Sequence, residues 1–476
     1  MGREIKRRLN FSVLTADDLA VIQQKSLDLL KQHGMRMAGE RSLAALREYG
    51  CAVDASGLVT MPAEVVERAL ADAPKSITLY DRAGEPWMTL AENNSVYFGT
   101  HADQLNILDF HTGRNRPFSI RDTPFMCRLA NHLDNISFIY SVGMCGDVRP
   151  EIQSQTTFLE TISHCRKVTA FSTNDIKGLQ ECIDMAAIVR GGPRALAEKP
   201  FIFNYCEPIP PRTHPLESTE KLRICALNGI PTVYMPYCMR GGTAPMSAAG
   251  ALIQCNAEVL GGLVLSQAVS PGTPFIYGAM PSIMDMKTTV GSYGAPEFHL
   301  LVAAASEIAD YYGLPFYGTA GCSDAKFLDE QGAAEMAMEI MSTLLSKANL
   351  IHDVGIFDHC LSVAPEAVVL ADEMIDQMRH YAAGINMDEA DAALETIASV
   401  APGGDYLQHP ATAKSFREIW YPRLFSRRMM NPDKSEVRPK ILETLLTVES
   451  QRAESGLSPE TRRELADYFK KIDATP

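Results

Sequence analysis

PFIYGAMPS (274–282), PFYGTAGCSDAK (315–326) and LIHDVGIFDH (350–359) share one pattern: a short apolar run, then a turn of aromatic and polar residues. Helix-like stretches separate them. Towards the N-terminus the unit recurs in TVYMPYCMRGG (from Thr232), FIFNYCEP (from Phe201), VTAFSTND (from Val168), FIYSVGMCGD (from Phe138) and VYFGTHADQ (from Val96). Short buried runs joined through helices are what a parallel sheet requires, because each parallel pair needs a crossover of about a dozen residues or more. Eight such units in succession predict an α/β fold, a closed (β/α)8 TIM barrel, with its active site where strands end and loops begin.

The repeats set the expected catalytic barrel at 93–385. Residues 1–92 read as an N-terminal cap, opening with an amphipathic helix that has Thr15 as N-cap and Gly34 as stop. A second helix in SLAALREYG and a third in MPAEVVERALADAP follow, then a small β element in ITLYDRAG and PWMTLAEN. The long connection after the first strand, LDFHTGRNRPFS, predicts an inserted hairpin. Residues 386–476 read as a helical extension packed on the barrel or on a partner subunit, so a homo-oligomer is expected.

The 476 residues are 46% hydrophobic and 21% charged, which supports a sizeable core. A net charge of −14 argues against nucleic acid or an anionic membrane as partner. The basic N-terminus lacks the apolar stretch of a signal peptide, and no run of about eighteen uncharged apolar residues occurs. Eleven cysteines at scattered spacings fit free thiols in a reducing compartment, so a cytoplasmic protein is expected.

The expected strand ends are rich in aromatics: Tyr97, Phe98, Tyr205, Tyr234, Tyr237, Phe275, Tyr277, Tyr317 and Phe357. A ring of aromatic faces holds a quaternary ammonium, a cation that cannot donate a hydrogen bond. Packing alone also places Tyr and Phe in strands. The polar residues there are His101, Asp103, Gln104, Asp147, Asn174, Asp175, Asn204, Glu207, Arg240, Asp324, Lys326, His352, Asp353 and His359. His101 with Asp103, or His352 with Asp353, has spacing that a catalytic zinc uses. Neighbours on an extended strand point opposite ways, however, so His352 and Asp353 share a pocket only if the strand has ended. No metal site is assigned. Glu207 is a candidate base or ionic partner of a cation, and Lys326 a candidate Schiff-base lysine, with Ser323 or Asp324 as alternative helix caps. Arg240, beside a Gly-rich turn, suits an anionic group.

Over nearly its full length the chain resembles the trimethylamine methyltransferase superfamily. The resemblance rests on LLKQHGMRM, LREYGCAVDASGLVTMPAEVVERALADAP, YGTAGCSDAKFLDEQGAAE, LIHDVGIFDH and PGGDYLQHPATAKSFREIWYPRLFSRR. It implies a barrel that moves a methyl group from an amine nitrogen to the cobalt of a corrinoid (cobalamin) carried by a separate protein, with no cofactor tightly bound to this chain. The archaeal trimethylamine enzymes carry pyrrolysine; this sequence has standard residues only, as does the branch thought to use quaternary amines such as glycine betaine. Their positions at the expected strand ends, not a family motif, make Glu207 and His352 the candidates for catalysis or orientation. The same positions make Tyr97, Tyr205, Phe275, Tyr277, Tyr317 and Phe357 the candidates for a cage, and His101, Arg240 and His352 those for a substrate carboxylate or orientation. A barrel lyase or aldolase using Lys326, a metal-dependent hydrolase and a non-catalytic betaine-binding protein remain open.

Overall fold

The computed structural model describes residues 9–91, 96–100, 103–141, 143–385, 387, 390–427, 436–451 and 455–474. His101, and the expected boundary residues 92, 93 and 386, lie outside that set. Eight parallel strands close into a barrel in chain order: β1 (Tyr97–Thr100), β2 (Ile136–Tyr140), β3 (Val168–Phe171), β4 (Ile202–Cys206), β5 (Thr232–Tyr234), β6 (Phe275–Gly278), β7 (Phe316–Thr319) and β8 (Leu350–Val354). Each belongs to one of the eight units read in the sequence. Their side chains are buried almost throughout, as strands covered on both faces must be.

A helix follows each strand: α1 (Thr123–His132), α2 (Gln153–His164), α3 (Ile176–Arg190), α4 (Leu216–Asn228), α5 (Ala248–Val269), α6 (Pro296–Tyr311), α7 (Glu330–Leu345) and α8 (Pro365–Ala382). Local chemistry sets their ends. Asp175, Ser247 and Asp329 accept the N–H of Gly178, Gly250 and Gly332 and so cap α3, α5 and α7. Asp329, not Ser323 or Asp324, therefore caps the helix after β7.

α5 is apolar all round and is the one described helix long and apolar enough to cross a membrane. Its apolar window is 72% buried, because it lies between the barrel and the N-terminal helices Ala16–Gln32, Glu40–Glu48 and Ala63–Asp72. Polar groups stitch that sandwich. Asn256 donates to Ser26 Oγ at 2.9 Å and to Tyr312 Oη at 3.0 Å, and accepts from Tyr277 Oη at 3.0 Å.

The N-terminal segment thus covers the flank of the barrel as well as one end. The hairpin of strands Ile77–Tyr80 and Pro86–Leu90 crosses the end where the barrel strands begin. Its Trp87 Nε1 donates to Ser137 O at 2.7 Å, and Tyr80 N to Pro200 O at 2.8 Å. At the opposite end the inserted hairpin, Asn106–Asp109 with Arg114–Pro117, joins Ser362–Val363 and Ile356–Phe357 in a small sheet. Helix Pro459–Asp473 packs on α3, where Tyr468 Oη donates to Asp184 at 2.7 Å, and helix Val437–Ser450 packs on α8 and α1.

Candidate active site

A cavity of about 350 Å³ opens at the C-terminal ends of the strands. Asp103 and Gln104 reach it from beyond β1, Tyr140 from β2, Ser172 from beyond β3, and Tyr205, Cys206 and Glu207 from β4 and the residue after it. Ser218 and Lys221 come from α4, Met280 and Tyr293 from the connection after β6, and His352, Asp353 and Cys360 from β8 and beyond.

Aromatic rings form its inner wall. Tyr205 meets Tyr140 edge to face, with centroids 5.8 Å apart, and lies 6.0 Å from Tyr317. Tyr317 is fully buried beneath, 4.6 Å from the His352 ring. Burial pushes the phenols of Tyr140, Tyr205 and Tyr317 well above their ordinary range, so these rings are neutral π faces.

Three carboxylates share this space. Glu207 accepts a hydrogen bond from Tyr205 Oη. Glu207 and Asp103 are exposed at the open mouth, with their carboxyl ends against the lining of the cavity. Removal from bulk water is the main cause that raises Glu207 to about 7; Asp353 and Asp103 add to it and the Tyr205 bond opposes it. Asp103 rises to about 6 for the same main reason, opposed by Ser172 and Lys221.

His352 and Asp353 both face this cavity although they are neighbours on β8. Asp353 has φ 75, and the β8–β1 register shifts between Ile351 and Val354. That irregularity breaks the alternation that would send them to opposite faces. His352 Nδ1 lies 2.8 Å from Gly318 O, a pure acceptor, so this nitrogen carries the hydrogen. Nε2 lies 3.3 Å from Asp353 Oδ2, which also accepts from Thr319 Oγ1 at 2.6 Å. Asp353 Oδ1 is buried with no partner among the described residues.

Of the residues assigned from the sequence, Tyr205, Glu207 and His352 line this cavity and Tyr317 underlies it. The other assigned residues that the structure describes lie elsewhere. Tyr97 starts β1, and its hydroxyl accepts from Thr89 N at 3.4 Å in the hairpin at the far end of the barrel. Tyr277 points outward to Asn256 on α5, and Phe275, two residues earlier on the same strand, shares that face. Phe357 packs over Gly332 of α7. Arg240 sits in a separate three-stranded sheet and donates to Met246 O at 2.9 Å. Tyr140, Ser172, Lys221 and Tyr293 reach the cavity without having been selected. Parity was the missing signal: Tyr140 and Tyr205 each follow an inward phenylalanine, Phe138 and Phe203, by two residues, and those two rings meet in the interior at 5.5 Å.

Lys326 is 69% exposed and ion-paired with Asp358 at 2.5 Å, away from this lining. Among the described residues no three His, Cys, Asp or Glu side chains gather to hold a metal ion. Asp324 serves the cavity indirectly. Its carboxylate accepts from Ser292 Oγ at 2.5 Å, Tyr293 N at 2.7 Å and Gly294 N at 3.1 Å, and lies 3.1 Å from His359 Nδ1. It thereby fixes the loop that presents Tyr293.

The family model described as trimethylamine methyltransferase (MTTB) matches residues 2–473. A glycine betaine methyltransferase from Desulfitobacterium hafniense (strain Y51) is 29% identical over 423 residues, covering 88% of this chain and 87% of that protein. The trimethylamine methyltransferase MttB of D. hafniense (strain DSM 10664 / DCB-2) is 27% identical over 415 residues, covering 87% and 83%. The monomethylamine methyltransferase MtmB of Methanosarcina barkeri superposes with a TM-score of 0.48 at 11% identity, covering 96% and 93%.

Proposed function

Because the chain belongs to the trimethylamine methyltransferase (MTTB) family and is a methyltransferase, we propose that it takes a methyl group from a quaternary amine, glycine betaine or a related betaine. The acceptor in this reading is a corrinoid carried by a separate protein, and a tertiary amine is released. The observation that carries it is the pairing of neutral tyrosine rings, Tyr140 and Tyr205, with Asp103, Glu207 and Asp353 in one cavity at the strand ends. A permanent cation without N–H donors is held by π faces and by charge, and both are supplied here.

A quaternary nitrogen leaves as a neutral amine, so the protein has no leaving-group proton to provide. Its residues hold, orient and exclude water. The rings of Tyr140 and Tyr205 meet the N-methyl groups from the side. Glu207 and Asp353, on opposite walls, centre the charge and leave one methyl directed to the opening, an alignment that lowers the barrier through orientation. Tyr205 and Thr319 position those carboxylates by donating hydrogen bonds to Glu207 and Asp353. A cavity of about 350 Å³ admits a small amine, and in this reading the corrin ring stays outside it. The corrinoid, which supplies the methyl-accepting cobalt when docked, therefore meets its substrate at the rim.

The position of Lys326 weighs against a Schiff-base lyase, and the lack of a three-residue ligand set among the described residues weighs against a zinc hydrolase. All eleven cysteines are free thiols, which supports work in the reducing cytoplasm. Exposed Ile385, Leu394, Leu407 and Tyr421, beyond α8, support a homo-oligomer. The test is proton NMR of glycine betaine incubated with the protein and a corrinoid protein in its reduced state. Dimethylglycine is the expected product; a betaine-binding protein without catalysis would leave the spectrum unchanged.

A further inference from the structure

We propose that Lys221 determines specificity in this cavity by binding a carboxylate of the substrate, while the quaternary nitrogen lies between Glu207 and Asp353. The inference rests on the quaternary-amine reading above and narrows it to zwitterions.

Lys221 sits on α4 and lines the cavity from the side of β3 and β4. Its ammonium donates to Thr173 O, which occupies one of three N–H donors. Among the described residues no carboxylate is in direct contact with it, although Asp103 feels its charge across the cavity. A half-buried ammonium with spare donors is costly unless an anion joins it. Arg240, one of the residues that the sequence suggests for an anion beside His101 and His352, is committed to Met246 O in another sheet.

The opposite wall has the complementary vacancy. In the ring of eight strands, β8 lies across from β4. Asp353 of β8 presents Oδ1, buried and without a partner among the described residues. Unused donors on one wall and an unused acceptor on the other describe a dipolar space. A compact betaine satisfies both. A cation such as choline, with a hydroxyl in place of the carboxylate, satisfies the acidic wall and leaves the spare donors of Lys221 without an anion bonded to them.

The experiment compares glycine betaine with choline by isothermal titration calorimetry on wild type, Lys221→Met and Lys221→Arg, with thermal melts of each. Wild type should bind glycine betaine more tightly than choline. In Lys221→Met the affinity ratio of the two should fall at least tenfold, and Lys221→Arg should restore most of it. A wild type that prefers choline, or a ratio unchanged in a folded Lys221→Met, would overturn the role of Lys221 while leaving the quaternary-amine reading intact. A wild type that binds neither compound would overturn that reading, and the inference with it.

Discussion

Replacing Glu207 with Gln removes the carboxylate that faces both Tyr205 and Asp353 and leaves a side chain of nearly the same shape. With no ligand Glu207 titrates at about 7, and a cation beside it favours the charged form, drawing the value towards the ordinary 4.5. Linkage then fixes the sign: affinity for the cation is full above the free-state value and falls as pH drops through it. If the value moves the whole way, wild-type affinity for glycine betaine drops about tenfold between about pH 8 and about pH 6. Asp103, which titrates near 6, extends the decline below that. At about 5 Å and an effective dielectric of about 20 or more, the lost attraction is about 1–3 kcal/mol, or roughly 5–150-fold in affinity. Isothermal titration calorimetry across pH therefore checks two features of Glu207→Gln, weaker binding at about pH 8 and a nearly flat profile down to about pH 6. A wild-type profile already flat over that range, or a variant with the wild-type slope, would refute the assignment of Glu207 to the cation.

Tyr205→Leu should weaken binding of the quaternary nitrogen by about 0.5–2 kcal/mol in the same titration, whereas Tyr205→Phe keeps the π face and most of the affinity. Tyr317→Phe should leave the melting temperature unchanged or raise it, because the buried hydroxyl has no partner among the described residues. Gly262→Ala places a Cβ 2.2 Å from the Tyr234 ring, so α5 must move off β5, and urea denaturation should show a loss of about 1–3 kcal/mol. Asp324→Ala frees the loop that carries Tyr293, and limited trypsin digestion should cut faster at the exposed Lys287; an unchanged rate would remove Asp324 from that role.

What was legible in the sequence was local. The Thr15 cap, the Gly34 stop and the inserted hairpin follow from turn and cap chemistry within a few residues, and they occur as read. The barrel was legible because eight apolar runs with helical spacers leave few other arrangements. The direction of each aromatic was not. A strand buried on both faces lacks polar alternation, so Tyr205, which faces inward, and Tyr277, which faces α5, look alike in the chain. His352 and Asp353 show the converse. Alternation predicts opposite faces, and a positive φ at Asp353, a residue type that tolerates it, brings them together. Lys221 lies within a crossover helix, and only the tertiary approach of α4 to the strand ends turns it towards the cavity.

The central claim is that a cavity of tyrosine faces and carboxylates delivers a methyl group from a quaternary nitrogen to cobalt. Its most direct test follows the cobalt absorbance of cob(I)alamin mixed with the protein and glycine betaine. Conversion to methylcobalamin that needs both protein and betaine, with one dimethylglycine formed per methylated cobalt, is the predicted result. Methylation supported by trimethylamine and by none of a panel of quaternary amines would contradict the account.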